Sequence, residues 1–171
     1  MVLSDSSIVY YNGAKKLVEP LVPENVSGAS IDLTLDNEYF DLYAEMKVPM
    51  DSGIRLAPNE FLLMSTAEKV NVPEDMVAIV KGKSSWARVG VMVECAGLID
   101  PGFSGNITLE VKNLRDKTRS IPLKPGDKIA QVFFMKLDKA AEKPYSKKYG
   151  HHYQGQVGVT KSVLYNPVRF V

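Results

Sequence analysis

Between Tyr39 and Val80 no apolar run lasts long: Phe40 to Tyr43, Phe61 to Met64 and Met76 to Val80 are broken apart by Pro49, Gly53, Pro58 and Pro73. Proline removes a backbone donor and glycine favours corners, so short apolar segments set between them read as strands joined by turns. No helical periodicity survives two turns here. Just upstream, Ile31, Leu33 and Leu35 alternate with Asp32, Thr34 and Asp36, the period of a strand with one buried face. The pattern predicts an all-β domain. Pro58-Asn59-Glu60, Pro73-Glu74-Asp75 and Lys124-Pro125-Gly126-Asp127 read as turns, and Ile129 to Leu137 as a strand interrupted by Gln131, which needs partners if it is buried. The N-terminus alone promises a helix: Ser4 or Asp5 can cap it, and Gly13 is placed to end it.

At 171 residues the chain fits a single domain over 1–171, without repeats or an internal boundary. Its 21 basic and 20 acidic residues leave a net charge of +1, which offers no long-range field for nucleic acid or an anionic membrane. Any anion must be held by local residues. A single cysteine, Cys95, excludes an intrachain disulfide, and with only two histidines it also excludes the usual four-ligand structural zinc sites. No run approaches the roughly 20 apolar residues of a membrane span, and the N-terminus lacks a signal-peptide layout; the expectation is a cytoplasmic protein. From Ala140 the composition shifts to lysine, glycine and tyrosine with little pattern, so 140–171 reads as a flexible C-terminal arm or lid. It is either a disordered terminus or an arm whose tyrosines and glutamines close on a ligand.

The chemistry gathers between Lys81 and Glu110. Lys83-Ser84-Ser85 follows the apolar run ending at Val80, and Arg88 comes within a helical turn, so hydroxyls and cations stand together as in a solvated turn, the commoner case, or as in a phosphate cradle. Asp100 precedes Pro101-Gly102, which presents one carboxylate at a hairpin tip with Phe103 beside it as an apolar plate. In the strand that follows, Ile107, Leu109 and Val111 point one way and Asn106, Thr108 and Glu110 the other. Glu110 is a surface residue if that second face meets solvent, and a candidate general base if it lines a cleft. Asp32 either bonds nearby backbone or takes part in the chemistry.

Taken in order, Val26-Ser27-Gly28-Ala29-Ser30-Ile31-Asp32-Leu33-Thr34-Leu35, Gly82-Lys83-Ser84-Ser85-Trp86-Ala87-Arg88-Val89-Gly90, Ala96 to Glu110, Pro125-Gly126-Asp127-Lys128-Ile129-Ala130-Gln131 and Tyr153-Gln154-Gly155-Gln156 resemble the motifs of the dCTP deaminase branch of the dUTPase-like superfamily. The resemblance implies a distorted jelly-roll-like β-barrel assembled as a homotrimer with active sites between subunits. It implies deamination of dCTP to dUTP, with Glu110 activating the water that attacks C4. By the same resemblance Ser84 and the carbonyl of Ala96 polarise that water, Arg88 stabilises the reacting arrangement, and Lys83, Ser84, Ser85 and Arg88 border the nucleotide. Asp100 would contact the 3'-hydroxyl and orient water toward the α-phosphorus, while Phe103 packs on the sugar. The backbone of Thr108 and Leu109 would read the base, and Gln131, Tyr145 and Gln156 would hold the triphosphate. His152 stands where many relatives have a lysine and would make that phosphate contact only weakly at neutral pH. Magnesium is expected with the triphosphate, bound largely by substrate and water. Zinc is not, because the His-x-Glu and Pro-Cys-x-x-Cys of zinc deaminases are absent.

Gly97-Leu98 is closer to the Gly-Trp of the bifunctional enzymes that continue to dUMP and diphosphate, and to the Gly-Leu-Ile-Asp of dUTPases, than to the enterobacterial type that stops at dUTP. The alternatives are a deaminase alone, a plain dUTPase using Asp100 and magnesium, and a non-catalytic nucleotide-binding regulator. Phe103 and the tail motif depart from the plain dUTPase pattern. Retention of Ser84, Arg88, Asp100 and Glu110 together speaks against the regulator. Feedback inhibition by dTTP stays open.

Overall fold

The computed structural model describes residues 1–94, 97–116 and 119–164. Helix α1 (Asp5–Lys15) begins at the expected cap: Ser4 is extended and its side chain accepts the Ser7 amide. Gly13 does not end it. The helix continues to Lys15, and Lys16, in a left-handed conformation, donates its N–H to the Asn12 carbonyl. Asn12 supplies the reason, since its buried Oδ1 accepts the Val18 amide at 2.8 Å and ties the helix end to the first strand. An interior glycine costs only about 1 kcal/mol, which such a tie offsets.

The strands follow as β1 (Val18–Glu19), β2 (Val26–Ser27), β3 (Ser30–Asp41), β4 (Met46–Pro49), β5 (Ile54–Leu56), β6 (Phe61–Asn71) and β7 (Met76–Gly82). After the one-turn helix α2 (Ser84–Ala87) come β8 (Val91–Glu94), β9 (Leu98–Ile99), β10 (Ser104–Asn113), β11 (Ile121–Leu123) and β12 (Lys128–Lys136). The main sheet runs β8-β10-β6-β3-β12-β7-β9, with β1 beside β6 and with β2 and β4 beside β3. Strands β5 and β11 pair separately. Among the described residues every pairing is antiparallel, and the sheet curls strongly into a half-barrel, the all-β architecture expected from the interrupted apolar runs.

Strand β3 makes the corner. Its first half, Ile31 to Thr34, pairs with β12; its second half, from Leu35, pairs with β6 and β4 after a register shift between Leu35 and Tyr39. One strand therefore serves both walls. Leu33, Leu35, Met64, Leu109, Val111 and Phe134 are fully buried between the walls. Each contributes about 1.5–3 kcal/mol relative to exposure. On the far face of the sheet, a smaller cluster joins Phe40 and Leu63 to Val159, which comes from the segment read as an arm. Among the described residues no helix is long and apolar enough to cross a membrane.

Candidate active site

Strand β10 sets the floor of the site. Its alternation is the expected one: Ile107, Leu109 and Val111 are buried, while Asn106, Thr108 and Glu110 are half-buried on the opposite face. That second face does not meet open solvent. It borders a cavity of about 500 Å³ whose lining includes Asp100, Phe103, Thr108, Glu110, Tyr145 and Gln156. Oε2 of Glu110 is closed off from solvent. The cleft reading of Glu110, rather than the surface one, describes its position.

The hairpin turn before β10 places the second carboxylate. The Phe103 amide donates to the Asp100 carbonyl at 3.2 Å, which closes the turn and leaves the Asp100 side chain exposed at the cavity wall. Gly102 lies at φ +89, and a Cβ there would stand 2.8 Å from Cβ of Pro144, so only glycine lets the later chain pack against the turn. That packing is tight: the Tyr145 amide donates to the Pro101 carbonyl at 2.6 Å. Phe103 is 5% exposed and meets the Tyr145 ring edge-on, with centroids 5.5 Å apart. Tyr145 in turn stacks on His151 at 4.3 Å. Its hydroxyl accepts the Tyr153 amide at 3.1 Å, so it first orders the arm.

The described part of the segment after Ala140, which reaches Leu164, folds back over the cavity of its own chain. Gln154 donates to the Gly102 carbonyl and accepts the Ser104 amide, the Asn106 amide donates to the Gln156 carbonyl at 3.1 Å, and the Thr160 amide donates to Oγ1 of Thr108 at 3.2 Å. Gln156 is thereby held at the cavity wall. Tyr153, which the sequence reading quoted within a motif without giving it a role, lines the same space, as do Thr160 and Ser162, which escaped that reading. Nothing periodic marks them, because the arm is irregular and its inward residues are chosen by its path.

The cationic motif is built differently. Lys83 precedes α2, which is anchored by Nε1 of Trp86 donating to the Lys128 carbonyl at 2.9 Å. Ser84, Ser85 and Arg88 are exposed and are not among the residues lining the cavity. Lys83 instead forms an ion pair with Asp32, whose other oxygen lies 3.6 Å from Nζ of Lys128. Asp32 therefore bonds side chains 51 and 96 residues away in sequence rather than nearby backbone. Its position is 7% exposed, and two cations offset the cost of holding a carboxylate there.

The remaining expected residues are scattered around these two groups. Leu109 points into the core, so it can meet a ligand only through its backbone. Among the described residues, strand β8 is registered on Glu110 to Asn113. Gln131 is half-buried on β12 between Asp32 and Lys81. His152 is exposed, edge-on to Tyr153 at 6.5 Å. Ala96 lies outside the described residues. Among the described residues no three histidine, cysteine or carboxylate side chains converge on a point where a metal ion could be caged.

Residues 41–137 match a family described as dCTP deaminase-like. A "dCTP deaminase, dUMP-forming" of a Nocardioides species is 40% identical over 186 aligned positions, covering 96% of this chain and 96% of its own. The protein of the same name from Persephonella marina is 35% identical over 182 positions, covering 96% of this chain and 98% of its own. Among solved structures, the 2'-deoxycytidine 5'-triphosphate deaminase of Agrobacterium tumefaciens superposes with a TM-score of 0.67 at 21% identity, over 78% of this chain and 47% of that one. A dUTPase of Staphylococcus bacteriophage 80alpha, solved with dUpNHpp, superposes with a TM-score of 0.51 at 18% identity, over 74% and 93% of the two chains. At such identities the structural likeness speaks for the fold.

Proposed function

Because the chain belongs to the dCTP deaminase-like family, we propose that it hydrolyses dCTP to dUTP and ammonia and carries the product on to dUMP and diphosphate. The observation that carries this reading is the pairing of two carboxylates, Glu110 and Asp100, on the wall of one cavity of about 500 Å³. That volume suits a nucleotide. Glu110, with one oxygen shielded from water, takes a proton from the attacking water as oxygen bonds to C4. N3 takes a proton as the C4=N3 double bond opens, and Glu110 returns its own proton to the amino group, so that ammonia leaves as the C4–N bond breaks and the new hydroxyl gives up its proton to become the C4 carbonyl. Asp100, exposed at the turn, takes the 3'-hydroxyl and orients the second water toward the α-phosphorus.

Phe103 and Tyr145 form the apolar wall against the sugar, and Gln156 meets the phosphates from the arm. Ser84, Ser85 and Arg88 project outward instead, as they would if a homotrimer set this motif against the cavity of the next subunit. Their exposure supports that assembly, with Ser84 and the carbonyl of Ala96 on the water and Arg88 on the reacting centre. Magnesium fits this chain as a companion of the triphosphate, which it would partly neutralise, because the described donor set favours an ion held by phosphate oxygens and water over a protein cage. Asp100 would approach it only through water.

Incubation with dCTP and magnesium, with nucleotides separated by ion exchange and dUTP supplied in parallel, tests the reading. The expected product of dCTP is dUMP with diphosphate and little free dUTP. Accumulating dUTP would remove the second step. Hydrolysis of dUTP with dCTP untouched would remove Glu110 as the base.

A further inference from the structure

The described arm is tied down along its length, and the bonds that hold it to the Pro101 turn and to β10 from Tyr145 to Gln156 belong to the site already described. A further clip grips it at Val157 to Val159. There, Oε1 of Glu38 accepts Nζ of Lys47 at 2.7 Å and the Val159 amide at 3.2 Å, and the same ammonium reaches the Val157 carbonyl at 3.5 Å. From the other side Asn106 completes the clip. Its Oδ1 accepts the Gly158 amide at 3.1 Å while its Nδ2 donates to the carbonyls of Thr66 at 2.9 Å and Glu68 at 3.2 Å, so it is braced by the bulged part of β6. Gly158, at φ +61, leaves no room for a Cβ against the Glu38 carboxylate. The Val159 side chain, fully buried, then plugs the cluster of Phe40 and Leu63. Just before the clip stand Tyr153 and Gln156, both on the cavity wall, with Gln156 bonded through its carbonyl and its Nε2 to the backbone of Asn106.

We propose that Glu38, Lys47 and Asn106 are positioning residues that clip the arm over the cavity and thereby set Gln156 against the phosphates of a nucleoside triphosphate. The clip sits on β3, β4 and the first part of β10, and none of its three side chains is among those lining the cavity. An ordered arm reduces the entropy lost when the ligand is enclosed, so the clip acts on binding rather than on the chemical step. This rests on the reading of the cavity as the nucleotide site.

Limited trypsinolysis of the full chain, followed by mass spectrometry of cuts after Lys148 and Lys161, reports arm opening without any nucleotide. Glu38→Ala should speed those cuts about ten-fold and raise KM for dCTP about five-fold, with kcat within about two-fold of the parent. Glu38→Gln, which keeps an oxygen for the Val159 amide, should fall between. Lys47→Ala, at a side chain 47% exposed, provides a second variant whose folding is not at stake and should shift both readouts the same way. Cutting and KM both unchanged in Glu38→Ala and Lys47→Ala would overturn the clip. Faster cutting with KM unchanged would overturn its role in substrate positioning. A parent protein that leaves dCTP untouched while Glu38→Ala still opens the arm would overturn the nucleotide reading and leave the clip standing.

Discussion

The β10 wall and helix α2 both carry residues expected to meet one substrate, yet the chain treats them in opposite ways. Around β10 the polar groups are gathered inward: Thr108, Asn106 and the arm exchange hydrogen bonds, and Glu110 and Asp100 share a cavity. Around α2 only the anchors are gathered, through Lys83 to Asp32 and Trp86 to Lys128, while Ser84, Ser85 and Arg88 face outward. One half of the site is a finished pocket and the other a displayed surface. The difference teaches that a motif can be anchored by its own chain and still leave its polar side chains exposed.

The largest effect should come from the finished half. Glu110→Gln should lower release of ammonia from dCTP by about 10²–10⁴-fold, as loss of a general base does, while hydrolysis of dUTP persists. Ammonia and diphosphate assays run side by side separate the two steps, and normal deamination by this variant would dissolve the comparison. The displayed half should respond next. Arg88→Ala should lower kcat/KM for dCTP by about 10–100-fold, the worth of a charged hydrogen bond of about 1.5–3 kcal/mol. Co-refolding it with Glu110→Gln should restore activity if α2 serves a neighbouring copy. Two mixed variants no better than either alone would mean that both halves act within one chain.

Smaller effects test the anchors. Asp32→Ala leaves Lys83 without its carboxylate in a half-buried place, and should cost about 1 kcal/mol, or about 3 °C in Tm, together with weaker dCTP binding. A thermal shift without a change in binding would limit Asp32 to the fold. The smallest change should come from Lys15 and Asp75, paired at 2.8 Å behind Phe103, on neither half of the site. The hydrogen bond from Lys15 holds the Asp75 carboxyl below its usual range. A depressed carboxyl stabilises the fold above its unfolded value near 3.8 and loses that contribution as pH falls through its folded value. The pair is well exposed, so Lys15→Ala should remove less than about 0.5 kcal/mol of stability near neutrality and leave dCTP turnover unchanged. Thermal melts at neutral pH and below the usual carboxylate range check it, since the small difference should vanish in acid.

Much of the β10 wall was legible because a strand writes its two faces into alternate residues. Ile107, Leu109 and Val111 announced the core, and Thr108 and Glu110 the other face. What covered that face was not legible: the same pattern fits solvent or a cavity, and the arm that closes it carries no period. Gly13 misled for a related reason. A local stop signal was outweighed by the bond from Asn12 to Val18, a contact the helix pattern does not encode. Asp32 was recognised as polar in an apolar strand, but its partner lies 51 residues on, brought near by the ladder from β3 through β12 to β7.

By itself, then, the sequence determined the longer strands around Ile31, Phe61, Met76, Ile107 and Ile129, the turns at Pro58, Pro73 and Gly126, and the order of the motifs, because each depends on residues within a few positions of one another. The tertiary structure decided which polar face became a cavity, that Lys83 answers to Asp32, and that Glu38 and Asn106 hold the arm where Gln156 meets that cavity. Those outcomes depend on the curl of an antiparallel sheet, which brings distant segments together at spacings no local pattern specifies.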